Sequence, residues 1–547
     1  MKFDDFLFSH LGEMGKYQKV QFFLVCLPTI VVSMHALSWT FASLDVPHRC
    51  LLPNEPSTTP YVTSALKFTE CKDKDGLLLN STFAKHGVDG VQCYYDKCSH
   101  DGKECAEHVF DHTNTDFTAT EQFDITCKRS MLKATIQAAY YAGQMAGSIT
   151  FGILGDKIGR KKVFFLAIII QIISGFCMSV APNWWLYAIC RAGTGFSHPG
   201  IFVIAVVIGM ELVGAQYRKL ASVITGAFFA LGQILLGVEA LYITDYQWLH
   251  AVVTAPALLF LSYWWLVPES IRWLVTQKRW PEADVVLKHA AKMNGATLPE
   301  NWWELLDQDD DSDSGKPVKK YGLSDLFKTP ELRKRTIIVF FLWPVVSMVY
   351  YGMAMKANVL GGDIYVNFIF AAFVEIPALI VVFLLIDRIG RRLILAGGFF
   401  TAGVALILNW AMGDIVTQWI AIVQMLLTKG AITGTYAAIY TYSPELFPTV
   451  LRNTAMGMCS TIARVGAIAA SYFAMWIAET YGKVFMIVPF GTLAVLAGLL
   501  TFFFLPETMG KPLPETINEI EEKTEATMSW LEKRTLRSST SSVEDEA

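Results

Sequence analysis

The stretch Gly152-Ile-Leu-Gly-Asp-Lys-Ile-Gly-Arg-Lys-Lys162 decides the architecture. It is a short basic loop with glycines at its corners and one acid, Asp156, set between two long apolar runs. A counterpart, Leu385-Ile-Asp-Arg-Ile-Gly-Arg-Arg392, lies between two later apolar runs and places Asp387 231 residues after Asp156. Glu211…Arg218 matches Glu445…Arg452 at an offset of 234, and Pro268-Glu269-Ser270 matches Pro506-Glu507-Thr508 at an offset of 238. Three landmarks in one order at nearly constant spacing mark a duplicated unit. Two related halves suit a transporter that works between them.

The composition around these loops agrees. The chain has 547 residues, 53% of them hydrophobic and 17% charged, with a mean hydropathy of +0.38, too apolar for a soluble enzyme of this size. Runs long enough to span a bilayer fall at roughly 20–43, 132–154, 163–181, 184–210, 220–243, 247–267, 336–355, 365–386, 393–412, 415–441, 454–477 and 484–505. The expected fold is an all-α membrane protein of twelve transmembrane helices in two six-helix halves. Its parts are a cytoplasmic segment 1–19, a first half 20–267, a cytoplasmic linker 268–335, a second half 336–505 and a cytoplasmic tail 506–547. The first apolar run follows an acidic Met1-Lys-Phe-Asp-Asp start and has no small-residue cleavage site after it, so it is read as a retained helix. Phe3, Phe6, Leu7 and Leu11 before it form the apolar side of a short docking helix or lie at the membrane surface.

Lysine and arginine in short loops set the orientation. Lys157, Arg160, Lys161, Lys162, Arg218, Lys219, Arg388, Arg391, Arg392 and Arg452 lie in loops on one face, and connections 181–183, 244–246 and 413–414 on the other face carry none. Both termini are therefore expected in the cytoplasm. The long loop 44–131 then lies outside and holds Cys50, Cys71, Cys93, Cys98, Cys105 and Cys127. An even set of exterior cysteines reads as disulfides, with the pairing left open. Asn80-Ser-Thr is a glycosylation acceptor on that side. His108 and His112 are four apart and could share a helix face near these cysteines; oxidised thiols do not bind zinc, so a solvated loop is favoured and no metal is expected. Cys26, Cys177, Cys190 and Cys459 sit in apolar segments and read as packing.

Ionisable residues inside apolar segments are functional candidates by default. They are Glu239, Glu375, Lys429 and Arg464, with Arg191 near the start of the fourth segment, where it either snorkels to the interface or pairs inside. Arg464, near mid-segment, needs a carboxylate, a chloride or a substrate carboxylate. Pro377 follows Glu375 closely and is expected to break its helix. Trp343, Tyr350, Tyr351, Tyr436 and Tyr440 can wall a quaternary ammonium through cation–π contact, each with core packing as the plainer account, and Gln233 can add a polar contact. In the repeated loops, Asp156 can cap the next helix and pair with an arginine. Together with Arg160, Glu211, Arg218, Asp387, Arg391, Glu445 and Arg452 it would form a cytoplasmic latch between the halves. Simple topology determination by positive charge accounts for the same residues.

The Gly152–Lys162 loop resembles the loop 2–3 signature of the major facilitator superfamily. The chain as a whole resembles the organic cation, anion and zwitterion (carnitine-type) transporter family. The residues that carry this are the cysteine-bearing loop, Asp124-Ile-Thr-Cys127, Pro268-Glu-Ser-Ile-Arg-Trp-Leu274, Val374-Glu-Ile-Pro377, Pro444-Glu-Leu-Phe-Pro-Thr-Val-Leu-Arg-Asn453 and Pro506-Glu-Thr-Met-Gly-Lys-Pro-Leu-Pro-Glu515. The resemblance implies a central cavity, alternating access and no covalent chemistry. It also implies that Arg464 stands where cation carriers place an aspartate and where anion and carnitine-type carriers place an arginine. The Glu375 motif looks like the cation and zwitterion branches. The two together imply a site of both signs, Arg464 for a carboxylate and Glu375 for an ammonium, unless the pair merely neutralises itself.

The expectation is thus a facilitative or secondary-active carrier of small organic cations or zwitterions in the plasma membrane. Its partners are the substrate, the bilayer and a coupling Na+ or H+, with no cofactor and no nucleic acid. An organic anion exchanger on the same fold is the alternative, and a transporter-like receptor lies outside the class. No G-x-x-x-x-G-K-[ST] run exists, since Lys511 is followed by Pro512 and Lys483 by Val484, which argues against an ATP-driven pump.

Overall fold

Backbone polar groups inside a bilayer must be satisfied within their own segment, so the apolar runs fold as helices. The computed structural model describes Leu7, residues 9–52, short stretches of the next loop (55–56, 59–62, 70–72, 78–79, 92–95, 98–100, 103–105 and 107–113), and 115–214, 217–299, 302–303, 322–357, 363–413, 417–511 and 513–521. Among the described residues twelve long helices are present: α1 (Lys16–Ala42), α2 (Met131–Ile158), α3 (Arg160–Val180), α4 (Trp184–Leu212), α5 (Arg218–Tyr242), α6 (Tyr246–Leu266), α7 (Pro330–Met355), α8 (Ile364–Ile389), α9 (Arg391–Met412), α10 (Gln418–Leu446), α11 (Thr449–Thr480) and α12 (Val484–Phe504). Ten of them are long and apolar enough to cross a membrane by length and hydropathy alone. The other two, α2 and α10, are diluted by polar side chains turned inward, among them Gln137 and Gln144 on α2 and Thr428 and Lys429 on α10, all buried. Pro377 does not break α8, which runs through it without interruption.

Within the first half α2 packs on α4 and α3 on α4; within the second α9 packs on α12 and α10. The halves meet along α2 with α11 and along α5 with α8, two contacts that the internal repeat exchanges. Small residues allow the closest approaches: a Cβ on Gly147 would stand 2.1 Å from the Phe196 carbonyl oxygen, so α2 and α4 can meet here only through glycine.

The repeated loops are single-residue turns. Gly159 (φ 106°) joins α2 to α3 and Gly390 (φ 111°) joins α8 to α9, both in backbone territory that favours glycine. A side chain there would also collide with the carboxylate of Glu269 or Glu507. Those two carboxylates cap the helices: Glu269 accepts from the N–H groups of Arg160 (2.8 Å) and Lys161 (3.0 Å), and Glu507 from those of Arg391 (3.0 Å) and Arg392 (3.1 Å). The expected cap, Asp156, does not perform this role. Its carboxylate bonds the Arg160 side chain instead.

Beyond the helix ends, Leu7, Leu11 and Tyr17 bury against Trp273, Leu274, Leu287 and Ala291 of the linker helices Ile271–Thr276 and Trp280–Asn294. Leu7 and Leu11 therefore dock on protein and not on lipid; Phe3 and Phe6 lie outside the described residues. The cysteine-bearing loop contains short antiparallel strands, β1 (His48–Cys50), β2 (Glu70–Lys72), β3 (Leu78–Leu79), β4 (Gln92–Tyr94), β5 (Ser99–His100), β6 (Lys103–Glu104) and β7 (His108–Phe110), ordered β1–β7, β3–β2–β4 and β5–β6. Cys50 is bonded to Cys105 and Cys98 to Cys127. The backbones of Cys71 and Cys93 face each other across the β2–β4 ladder. Asn80 lies outside the described residues. His108 is on a strand, not a helix, and His112 beyond it sits 3.4 Å from Glu121. Cys26, Cys177, Cys190 and Cys459 are free thiols.

Candidate central cavity

The polar residues of α5, α7, α8, α10 and α11 converge between the halves. Glu375 on α8 is buried, and its first partner is Lys429 on α10, with Nζ 2.7 Å from Oε1. The same ammonium lies 3.6 Å from the centroid of the Tyr350 ring on α7. Tyr350 donates its hydroxyl to Glu375 at 3.0 Å, and Gln233 on α5 donates to Glu375 (3.1 Å) and to Tyr350 (3.2 Å). A carboxylate removed from water is thus met by one full charge and two hydrogen bonds, as a buried charge requires. Gln233 is the member of this network from the first half.

Arg464 on α11 is also buried, and the alternative in which Arg464 and Glu375 neutralise one another does not occur. Lys429 holds the carboxylate, and the guanidinium lies beside Tyr436, Tyr351 and Tyr440. Its Nε has no hydrogen-bond partner, and among the described residues no carboxylate lies within ion-pair distance of it. The aromatic residues make one continuous wall. Ring centroids are 4.7 Å apart for Trp343 and Tyr440, 5.6 Å for Tyr436 and Tyr440, 5.4 Å for Tyr350 and Tyr436, and 5.1 Å for Tyr350 and Tyr351. Trp343 anchors this wall by donating its indole N–H to Ser443 at 3.0 Å. Tyr440 packs in this cluster yet is 43% exposed.

The first half supplies residues that the sequence did not single out. Tyr141 packs against Tyr351 with ring centroids 4.9 Å apart and planes tilted by 57°, and Tyr140 bonds His198 at 2.7 Å. The Tyr140-Tyr141 pair and the Ser197-His198-Pro199 run, each inside an apolar segment, were the available signals. Arg191 is 0% exposed and so does not snorkel. It is held by Gln137 (2.7 Å), by the carbonyls of His35 and Ala36 and by Ser38, with Tyr140 and Trp39 rings alongside. On α5, the buried Oε2 of Glu239 has no hydrogen-bond partner among the described residues.

The loop residues pair within their own halves. Arg160 bonds Asp156 (2.7 Å) and Glu211 (3.5 Å), and Arg391 bonds Asp387 (2.8 Å) and Glu445 (3.2 Å). Arg452 donates to the carbonyls of Pro444 and Phe447 at the end of α10, and the Arg218 side chain lies outside the described residues. Among the described residues, none of these pairs crosses between the halves in this conformation. Among the described residues, the ionic contact between halves is at the opposite end, where Glu479 on α11 accepts from Lys133 on α2 at 2.9 Å and also from Lys356 at the end of α7. Thr135 on α2 and Tyr472 on α11 meet beside it at 3.4 Å.

The geometry has counterparts among known proteins. The family model for sugar (and other) transporters matches residues 91–520. The organic cation transporter protein of Drosophila melanogaster is 36% identical over 540 residues, covering 95% of this chain and 95% of its own. Organic cation/carnitine transporter 2 of Homo sapiens is 30% identical over 529 residues, covering 94% of this chain and 93% of its own. Among solved structures, the inward-open xylose transporter XylE of E. coli matches with a TM-score of 0.58 at 20% identity, over 73% of this chain and 91% of that one, a likeness of fold alone.

Proposed function

Since the chain belongs to the sugar (and other) transporter family, among the organic cation and carnitine transporters of the major facilitator superfamily, we propose that it carries small organic cations or zwitterions, with preference for species that bear both an ammonium and a carboxylate. It is a membrane transporter, from a family of transporters and not of enzymes. The observation that supports the substrate class is the buried Arg464 guanidinium, set among tyrosines with no protein carboxylate at ion-pair distance among the described residues. A substrate carboxylate would supply the charge it lacks. The adjoining aromatic wall and Glu375 would receive the ammonium by cation–π and ionic contact. Trp343, Tyr350, Tyr351, Tyr436, Tyr440 and Gln233 complete this proposed site.

In this reading the cavity faces the cytoplasm, closed on the outside by Lys133 and Glu479. The loop clusters around Arg160 and Arg391 hold each half rigid as the two rock. The carrier sits in the plasma membrane with both termini cytoplasmic, Asn80 glycosylated, and Na+ or H+ as the coupling ion. The test is uptake of one cation, one zwitterion and one anion by cells or vesicles, with and without a sodium or proton gradient. Zwitterion uptake exceeding both others is expected. Uptake of the anion alone would overturn the proposal.

A further inference from the structure

Away from the cavity, at the root of the cysteine-bearing loop, two imidazoles are brought together by strand register. β1 and β7 pair with His48 opposite Phe110 and Cys50 opposite His108. His48 and His108 are therefore diagonal neighbours on one face of the ribbon, with ring centroids 5.3 Å apart and planes at 88°. One ligand atom from each ring and Sγ of Cys127 all lie within 4.8 Å of one another.

The remaining nitrogen of each ring fixes the chemistry. His48 Nδ1 is 2.9 Å from the Val46 carbonyl oxygen. A carbonyl only accepts, so Nδ1 carries the proton and the neutral ring keeps its lone pair on Nε2. His108 Nδ1 is 3.1 Å from Asp124 Oδ1, again an acceptor, and His108 Nε2 is 3.8 Å from Cys127 Sγ. Both rings are thus held in the tautomer that offers Nε2 as a ligand atom. Asp124 is itself fixed by Thr126 (3.0 Å) and Arg129 (3.5 Å). A carboxylate on the far nitrogen of an imidazole is the usual support of a metal-binding histidine. Cys127 is bonded to Cys98 and offers no thiolate, so the donor set is two neutral imidazoles completed by water. Imidazole suits zinc and copper, whereas calcium and magnesium require oxygen ligands.

We propose that His48 and His108 form a binding site for a borderline divalent cation, zinc or copper, with Asp124 as its positioning residue. The site would brace the chain leaving α1 against the chain entering α2, close in sequence to Lys133.

The experiment uses the purified full-length chain with its disulfides intact, titrated with zinc chloride against a chromophoric chelator and followed in parallel by thermal unfolding. One zinc per chain and a raised unfolding midpoint are expected, and both should be lost in the His48→Gln/His108→Gln variant. Asp124→Asn should weaken zinc binding by roughly 10- to 100-fold. His112→Gln, an exposed neighbour, should change nothing. Equal zinc binding by wild type and the double variant, or no zinc binding by wild type, overturns the proposal. If the double variant does not fold, Asp124→Asn decides: unchanged affinity there overturns it as well.

Discussion

Arg464 and Glu375 belong to the same cavity but answer to different partners, and this decides what their substitution should do. Glu375 is already met by Lys429, Tyr350 and Gln233, whereas Arg464 lies among tyrosines with no carboxylate at ion-pair distance among the described residues. Arg464→Ala should therefore raise the apparent Michaelis constant for a zwitterion far more than for a simple cation. Loss of one charge-assisted hydrogen bond of about 1.5–3 kcal/mol corresponds to roughly ten- to a hundred-fold weaker binding. Concentration-dependent uptake of both substrates by surface-normalised cells measures the ratio; equal losses would mean that Arg464 serves the fold and not the carboxylate. Glu375→Gln should hurt cations and zwitterions and also strand Lys429 without its counter-ion, so a lower yield of folded protein is expected alongside, read by size-exclusion chromatography. The residue types of this site were legible in the sequence because charges in apolar runs stand out. Their pairing was not. Whether Glu375 meets Lys429 or Arg464 depends on how α8, α10 and α11 are rotated about their axes, which no local pattern specifies.

At the level of elements, the same limit explains the caps. The duplicated loops could be read from spacing, but the carboxylate that caps α3 lies 109 residues from Arg160 and the one that caps α9 lies 116 residues from Arg391. Asp156, the near acid, was the natural local choice, and tertiary folding supplied a better-placed one. Glu269→Ala should remove two charge-assisted bonds and destabilise the first half by about 1–3 kcal/mol, visible as a lower unfolding midpoint. Asp156→Asn and Arg160→Ala should reduce transport at normal surface expression, since they loosen α2 from α4 and leave the cavity lining untouched; unchanged turnover in both would leave these residues a topological role only. The opposite end of α2 allows a sharper test. Glu479 is shared by Lys133 from the first half and Lys356 from the second. When the halves part, Lys356 can stay with the carboxylate while Lys133 leaves. Lys133→Gln should therefore favour outward opening, and Lys356→Gln should oppose it by leaving Glu479 unpaired in the open state. Labelling of a cavity cysteine, introduced at Tyr351, by an external membrane-impermeant thiol reagent reports both, and shifts of the same sign in the two variants would refute the shared-carboxylate account.

The whole molecule is two six-helix bodies whose described ionic contact is at one end only, and that asymmetry is what alternating access requires of a single snapshot. The number of helices and their division into two were legible because hydrophobic runs and repeated loops survive as sequence periodicities. The conformation was not, because it is a choice between two packings of the same helices that differ by only a few kcal/mol. Placement across the membrane is tested by Asn80→Gln, which should increase the gel mobility of protein made in animal cells to that of glycosidase-treated wild type. The rocking itself is tested at the α2–α11 contact, where Thr135 and Tyr472 touch at 3.4 Å through their side-chain ends. The contact runs through the ends of both side chains, so a short bifunctional thiol reagent is the bridge chosen for the Thr135→Cys/Tyr472→Cys pair. Bridging should stop net uptake while leaving the cavity open at the basic-loop end, so a cytoplasmic-side thiol probe at Tyr440→Cys should still react. Cleavage of the bridge should restore uptake, and each single cysteine should transport normally in the presence of the reagent. Undiminished uptake by the bridged pair would mean that α2 and α11 need not separate, and the outward path would have to be sought at the α5–α8 contact instead.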